Sequence, residues 1–191
     1  IVPVGLSVTA AGLLAFSMIQ VDSSLGMVYL CVLPLGLGMA ITMTPLTTLI
    51  MSSVPLGRAG VGSAMNDTTR ELGGALGVAV LGSVVTSQYT SGLSGVLGRL
   101  PEQAQAVADS GLAGALAVAG GIGGTQGELL ADTAKQAFVD GLNLAAGIGA
   151  VVVFVAAAAA YRLLPRTHAA PFVAPATDDD AELAAEPTLA D

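Results

Sequence analysis

The stretch LGMVYLCVLPLGLGMAITMTPLTTLIM runs from Leu25 to Met51 without a charge. A helix needs about 20 largely apolar residues to cross a hydrocarbon core of about 30 Å, so this stretch is long enough to span a membrane. Upstream, Ile1 to Ile19 is also free of charge and is set apart by Gln20, Asp22, Ser23 and Ser24. Downstream, Ser52, Ser53, Pro55, Gly57 and Arg58 close the run, and two further apolar segments follow. The first, Leu72 to Gln88, is short for a crossing and is preceded by Leu56 to Glu71, where small residues alternate with polar ones. The second, Gly141 to Leu164, is of full crossing length. The expected architecture is all-α: a polytopic membrane helix bundle over 1–164, with four transmembrane helices at about 1–19, 25–51, 59–88 and 141–164.

Composition points the same way. Of 191 residues 53% are hydrophobic and only 10% charged, and the mean hydropathy is +0.78. A soluble domain carries about 25% charged residues. Aromatics are 4% with no Trp, against 25 glycines, a low-bulk composition that lets membrane helices approach closely. The net charge of -8 is unevenly spread: Asp178, Asp179, Asp180, Glu182, Glu186 and Asp191 all fall at the very end of the chain. Residues 165–191, with four prolines and little apolar content, are expected to form a disordered acidic cytoplasmic tail. No basic stripe is present to neutralise nucleic-acid phosphate, so nucleic acid is not an expected partner. Cys31 stands alone in an apolar run and reads as a small core residue.

Residues 89–140, rich in Gly, Ala and Ser, read as a loop on the outer side. Within it Pro101 and Glu102 start a short helix through Ala108, a second helix begins near Thr125 and runs through Phe138 into the fourth span, and the glycine-rich Ala113 to Gly124 reads as a surface or re-entrant segment. Arg58, Arg162 and Arg166 against Arg99 and Lys135 put the tail in the cytoplasm. The chain opens on Ile1 inside an apolar run, with no basic region before it, which reads as a fragment of a longer protein rather than a signal peptide.

Chemistry concentrates in VPLGRAGVGSAMNDTTRELGGALGVAVLG, Val54 to Gly82. On a helix, Asn66 and Arg70 share a face at i,i+4, Asp67 lies three positions before Arg70, and Glu71 four after Asp67. A helix starting at Ala59 carries Arg70 about 16 Å along its axis, near the bilayer centre, where an ionisable group faces protein or a water-filled cavity. The other placement starts the crossing at Leu72 and lets Arg70 snorkel while Asp67 and Glu71 sit at the interface; Leu72 to Gln88 alone barely spans, which favours the first. In the second span Pro34 and Pro45 each remove a backbone hydrogen bond, freeing the carbonyls of Leu30 and Ile41. Thr42, Thr44, Thr47 and Thr48 around Pro45 are candidates to satisfy that backbone or to line a polar cavity. Gly73 and Gly77, with Ala75, Ala79 and Ser83 on an adjacent face, and Gly141, Ala145 and Gly149 form small-residue rows suited to helix packing. His168 is the only histidine and lies in the tail, so neither a zinc cluster nor a Ser-His-Asp arrangement is expected. No phosphate-binding glycine motif with a following Lys occurs, and no enzyme, metal or cofactor is expected.

The order of these features carries a resemblance. Gly36 to Val84, GLGMAITMTPLTTLIMSSVPLGRAGVGSAMNDTTRELGGALGVAVLGSV, resembles the late C-terminal part of the fourteen-span drug:proton antiporters of the major facilitator superfamily. It pairs a glycine-rich helix containing Pro with a V-P-x-x-x-x-G loop, then S-A-x-N-x-x-x-R-x-x-G-G-A-x-G-x-A. AFVDGLNLAAGI, Ala137 to Ile148, is similar to that family's approach to its last helix. The resemblance implies spans eleven to fourteen, in the C-terminal half of the fold, with the second span lining a cavity and the third between the two halves. It implies a proton-coupled multidrug efflux transporter of the bacterial inner membrane, working by alternating access on small amphipathic substrates. The partners it implies are protons, the lipid bilayer and the transporter's missing N-terminal helices, where the coupling acids and antiporter motif lie; the fragment alone is expected to be inactive. The rival reading is a small non-transporting membrane scaffold or assembly subunit.

Overall fold

A computed structural model of the chain describes residues 1–98 and 100–163. The expected tail, 165–191, lies outside the described residues, as do Arg99 and Arg166. The described chain is helical almost throughout: α1 (Val2–Phe16), α2 (Leu25–Ser52), a 3-10 turn (Leu56–Arg58), α3 (Ala59–Leu97), α4 (Glu102–Asp109), α5 (Leu112–Ile122) and α6 (Gly124–Leu163). Three helices, α2, α3 and α6, are long and apolar enough to cross a membrane. The first expected span is shorter than its apolar run: α1 has 15 residues, about 22 Å of helix. It stops where Ser17 turns its hydroxyl onto the Leu14 carbonyl.

Close backbone approaches set the topology. Between α1 and α2 a methyl group built on Gly38 would lie 2.7 Å from the Gly5 carbonyl oxygen, and one on Gly12 would lie 2.9 Å from the Leu35 nitrogen. Residue numbers thus rise along one helix as they fall along the other. The same antiparallel register joins α3 to α6, through Gly141 against Val85 and Gly92 against Ala137. It also joins α1 to α6, through Leu13 against Gly149 and Asn143 against Ile19. The bundle therefore runs up, down, up, down, with α6 contacting both α1 and α3. Arg58 and Arg162 fall at one end, and Asp22 and Asp140 at the other.

At that second end the structure differs from the loop expected over 89–140. α3 continues past Gln88 to Leu97, and the helix expected from near Thr125 into the fourth span is α6, which begins at Gly124. Each is roughly 60 Å long at about 1.5 Å per residue, about twice the hydrocarbon thickness. Their projecting ends pack with α4 and α5 around Tyr89, Leu93, Ala108, Ala115, Ala134 and Ala137. The Tyr89 hydroxyl donates to the Ala108 carbonyl at 3.0 Å, holding the end of α4 against α3. The segment read as surface or re-entrant, Ala113 to Gly124, is α5 as far as Ile122, and Gly123 and Gly124, at φ 65° and 59°, make the turn into α6 that side-chain-bearing residues resist. Small residues here mark close helix packing and not an irregular loop, because alanine is the best helix former.

Candidate functional site

The C-terminal half of α2 and the first third of α3 border an open cleft of about 470 Å³, lined by Met43, Thr44, Thr47, Thr48 and Arg70. α2 begins at Ser24, whose hydroxyl accepts from the Met27 amide, and continues unbroken through Pro34 and Pro45. The threonines after Pro45 turn their hydroxyl protons onto their own helix: Thr47 donates to Met43 and Thr48 to Thr44, each at 3.0 Å. Thr42 donates to Gly38 at 2.7 Å. The Ile41 carbonyl freed by Pro45 receives none of these hydroxyls. With their protons committed, Thr47 and Thr48 offer lone pairs to the cleft, while Arg70 offers donors and a positive charge.

The structure thus brings together two candidates that lie on different helices and far apart in sequence, Thr44 and Arg70, beside the half-buried Pro45. Asn66 is half-buried on α3, and Asp67, Arg70 and Glu71 are exposed. Asp67, Arg70 and Glu71 form no ion pair with one another: the single ion pair among the described residues joins Lys135 to Asp132 at 3.2 Å. Arg70 is therefore neither enclosed within these helices nor neutralised by a neighbour. Only 6% of the apolar window of α3 is buried within the chain.

The small-residue rows separate into two groups. Methyl groups built on Gly141 and Gly149 would meet α3 or α1, at 2.9 Å from the Val85 oxygen and 3.6 Å from Leu13. Gly73 and Gly77 meet nothing within 4 Å, and Ala79 is exposed. A close crossing between α1 and α2 is one that sequence reasoning missed. Gly5 and Thr9 on α1 face Gly38 and Thr42 on α2, and each threonine hydroxyl bonds the carbonyl of the glycine four positions before it. The repeated G-x-x-x-T spacing is the signal that could have found it. Among the described residues no group of three or more His, Cys, Asp and Glu is arranged to hold a metal.

No protein-family model matches the chain, but individual relatives do. It is 34% identical over 163 residues to the tetracenomycin C resistance and export protein of Streptomyces glaucescens, an alignment covering 82% of this chain and 30% of that protein. It is 34% identical over 154 residues to the multidrug efflux pump LfrA of Mycolicibacterium smegmatis, covering 81% and 30% respectively. Over four-fifths of its length the chain is homologous to part of the drug exporters of the major facilitator superfamily. A shorter match, 30% over 105 residues, covers 55% of the chain and 21% of the methyl viologen resistance protein SmvA of Salmonella typhimurium. The chain spans about 30% of the length of the first two exporters. With three helices of crossing length, this major facilitator segment is a multi-pass membrane protein.

Proposed function

We propose that this chain is the C-terminal part of a proton-coupled multidrug exporter that works by alternating access, its helices corresponding to spans eleven to fourteen of a fourteen-span transporter. The observation that carries the reading is the chain's similarity to export proteins over four-fifths of its length; Thr44 and Arg70, which both line the open α2–α3 cleft, are the candidate site within it. A cleft with threonine lone pairs on one wall and a guanidinium on the other suits amphipathic compounds that carry both acceptor and donor groups. Pro45, beside the threonines, gives α2 a point at which to bend as the cavity changes sides. Asn66, Asp67 and Glu71 lie within a turn or so of Arg70 and respond to its charge when other helices enclose it. The exposed face of α3 around Gly73, Gly77 and Ala79 is the surface those helices would cover, closing the two halves of the fold against each other. In this reading the protein lies in the bacterial inner membrane with Arg58 and Arg162 on the cytoplasmic side.

The test uses everted vesicles carrying the full-length transporter. Drug-driven proton release and drug uptake are compared for the unmodified protein, Arg70→Ala and Asp67→Asn. The proposal expects Arg70→Ala to lose most of its uptake at unchanged expression, and equal uptake and proton exchange in all three would defeat it.

A further inference from the structure

The lining of the α2–α3 cleft, Met43, Thr44, Thr47, Thr48 and Arg70, contains no Asp or Glu. Its formal charge is the Arg70 guanidinium. That group makes no hydrogen bond or ion pair among the described residues, so all its N–H donors are uncommitted. Thr44 adds another free donor. Thr47 and Thr48 commit their hydroxyl protons to the Met43 and Thr44 carbonyls, whereas the Thr44 hydroxyl donates to nothing among the described residues. Asp67 and Glu71 do not neutralise the cleft wall: they stand about 60° and 100° around α3 from Arg70, outside the lining, and neither pairs with it. Depth sharpens the demand. α3 begins at Ala59, so Arg70 lies about 16 Å along its axis, where an uncompensated charge is costly and calls for a partner of opposite sign.

Two donors without acceptors, one of them charged and each on a different wall of the cleft, ask for an anion. We propose that the cleft selects aromatic anions, compounds bearing a carboxylate or phenolate on a ring system, over cations of the same size, a substrate class that rests on the reading of this chain as part of a drug exporter. The anionic oxygen sits on the Arg70 guanidinium and the Thr44 hydroxyl, and charge-assisted bonds of this kind are stronger than neutral ones. The Met43 thioether, next to Thr44 on α2, suits the ring. At about 470 Å³ the cleft falls within the range that holds small organic ligands, about 300–1,000 Å³. A cation placed there would meet the guanidinium at close range and find only the neutral lone pairs of Thr47 and Thr48 to receive it.

Two xanthene dyes of similar size and opposite charge, anionic fluorescein and cationic rhodamine 6G, provide the test. Binding of each to the purified full-length transporter is followed by fluorescence anisotropy. Fluorescein is expected to bind more tightly than rhodamine 6G. Arg70→Gln should weaken fluorescein about tenfold or more and tighten rhodamine 6G, while Thr44→Val should weaken fluorescein about fivefold. Fluorescein bound no more tightly than rhodamine 6G, or fluorescein affinity that survives Arg70→Gln, overturns the proposal; a carboxylate from the rest of the transporter already seated on Arg70 would give that result. If Arg70→Gln does not fold, Thr44→Val decides, and undiminished fluorescein affinity in that variant overturns the proposal. Uptake by everted vesicles keeps the two readings apart. Drug uptake without a preference for fluorescein sinks the anion site and leaves the exporter standing, and a preference for fluorescein without any uptake does the reverse.

Discussion

Replacing Gly38 by alanine probes the contact on which the antiparallel α1–α2 pair rests. A methyl group at Gly38 would lie 2.6 Å from the Thr9 nitrogen and 2.7 Å from the Gly5 oxygen. Comfortable contacts need about 3.5 Å or more. Both neighbours are backbone atoms, which cannot rotate aside as a side chain would, so the helices must separate by about 1 Å to restore that spacing. Overpacking of this kind costs about 1–3 kcal/mol, and an immovable neighbour puts Gly38→Ala near the upper end. Against that, alanine improves helix propensity by about 1 kcal/mol, leaving a net loss of about 2 kcal/mol. For a chain of about 150–250 residues each kcal/mol moves the melting temperature by about 2–4 °C, so the expected fall is about 4–8 °C, read from dye labelling of Cys31 on heating. Gly77→Ala is the matched control: among the described residues a methyl group built on Gly77 meets no atom of another helix within 4 Å, so the propensity gain stands unopposed and the melting temperature should hold or rise. If Gly38→Ala melts at or above the unmodified chain, or Gly77→Ala falls as far, close backbone approach is not what holds α1 to α2.

Two further outcomes follow from the same contacts. Tyr89→Phe removes the bond to the Ala108 carbonyl and should cost about 1 kcal/mol; hydrogen exchange should quicken in α4, Glu102–Asp109, and stay unchanged across α2. Arg70→Ala changes an exposed, unpaired residue and should alter the stability of the chain by no more than about 0.5 kcal/mol, read from its melting temperature. A large drop in the chain's own stability would contradict the exposed placement.

The membrane helices were legible in the sequence because charge-free runs the length of a bilayer leave few other readings, and α2 follows its apolar run closely at both ends. The short helix after Pro101 was legible for a local reason, a proline at its start and an acid in its first turn. The cap built from α4, α5 and the projecting ends of α3 and α6 was not legible as a whole. Its core is largely alanine around Tyr89 and Leu93, and alanine carries little periodic signal to separate a packed helix from a loop. In the candidate site, Thr44, Pro45 and Arg70 stood out as polar or helix-breaking residues in apolar surroundings. Their meeting across a cleft depends on how α2 and α3 diverge after the Leu56–Arg58 turn, which no local pattern encodes. The small-residue rows show the converse: Gly141 and Gly149 find partners within the chain, whereas Gly73 and Gly77, on the same four-residue repeat, meet no other helix among the described residues. Spacing reports the capacity for close approach and not which helix makes it.

Whether the α2–α3 cleft is the part of this chain that meets substrate can be read from thiol labelling. Thr44→Cys is placed in a cysteine-free form of the full-length transporter and exposed to a water-soluble maleimide with increasing concentrations of a transported drug. A substrate-facing cleft gives ready labelling that the drug suppresses in a saturable manner. No labelling, or labelling that the drug leaves unchanged, would contradict that placement.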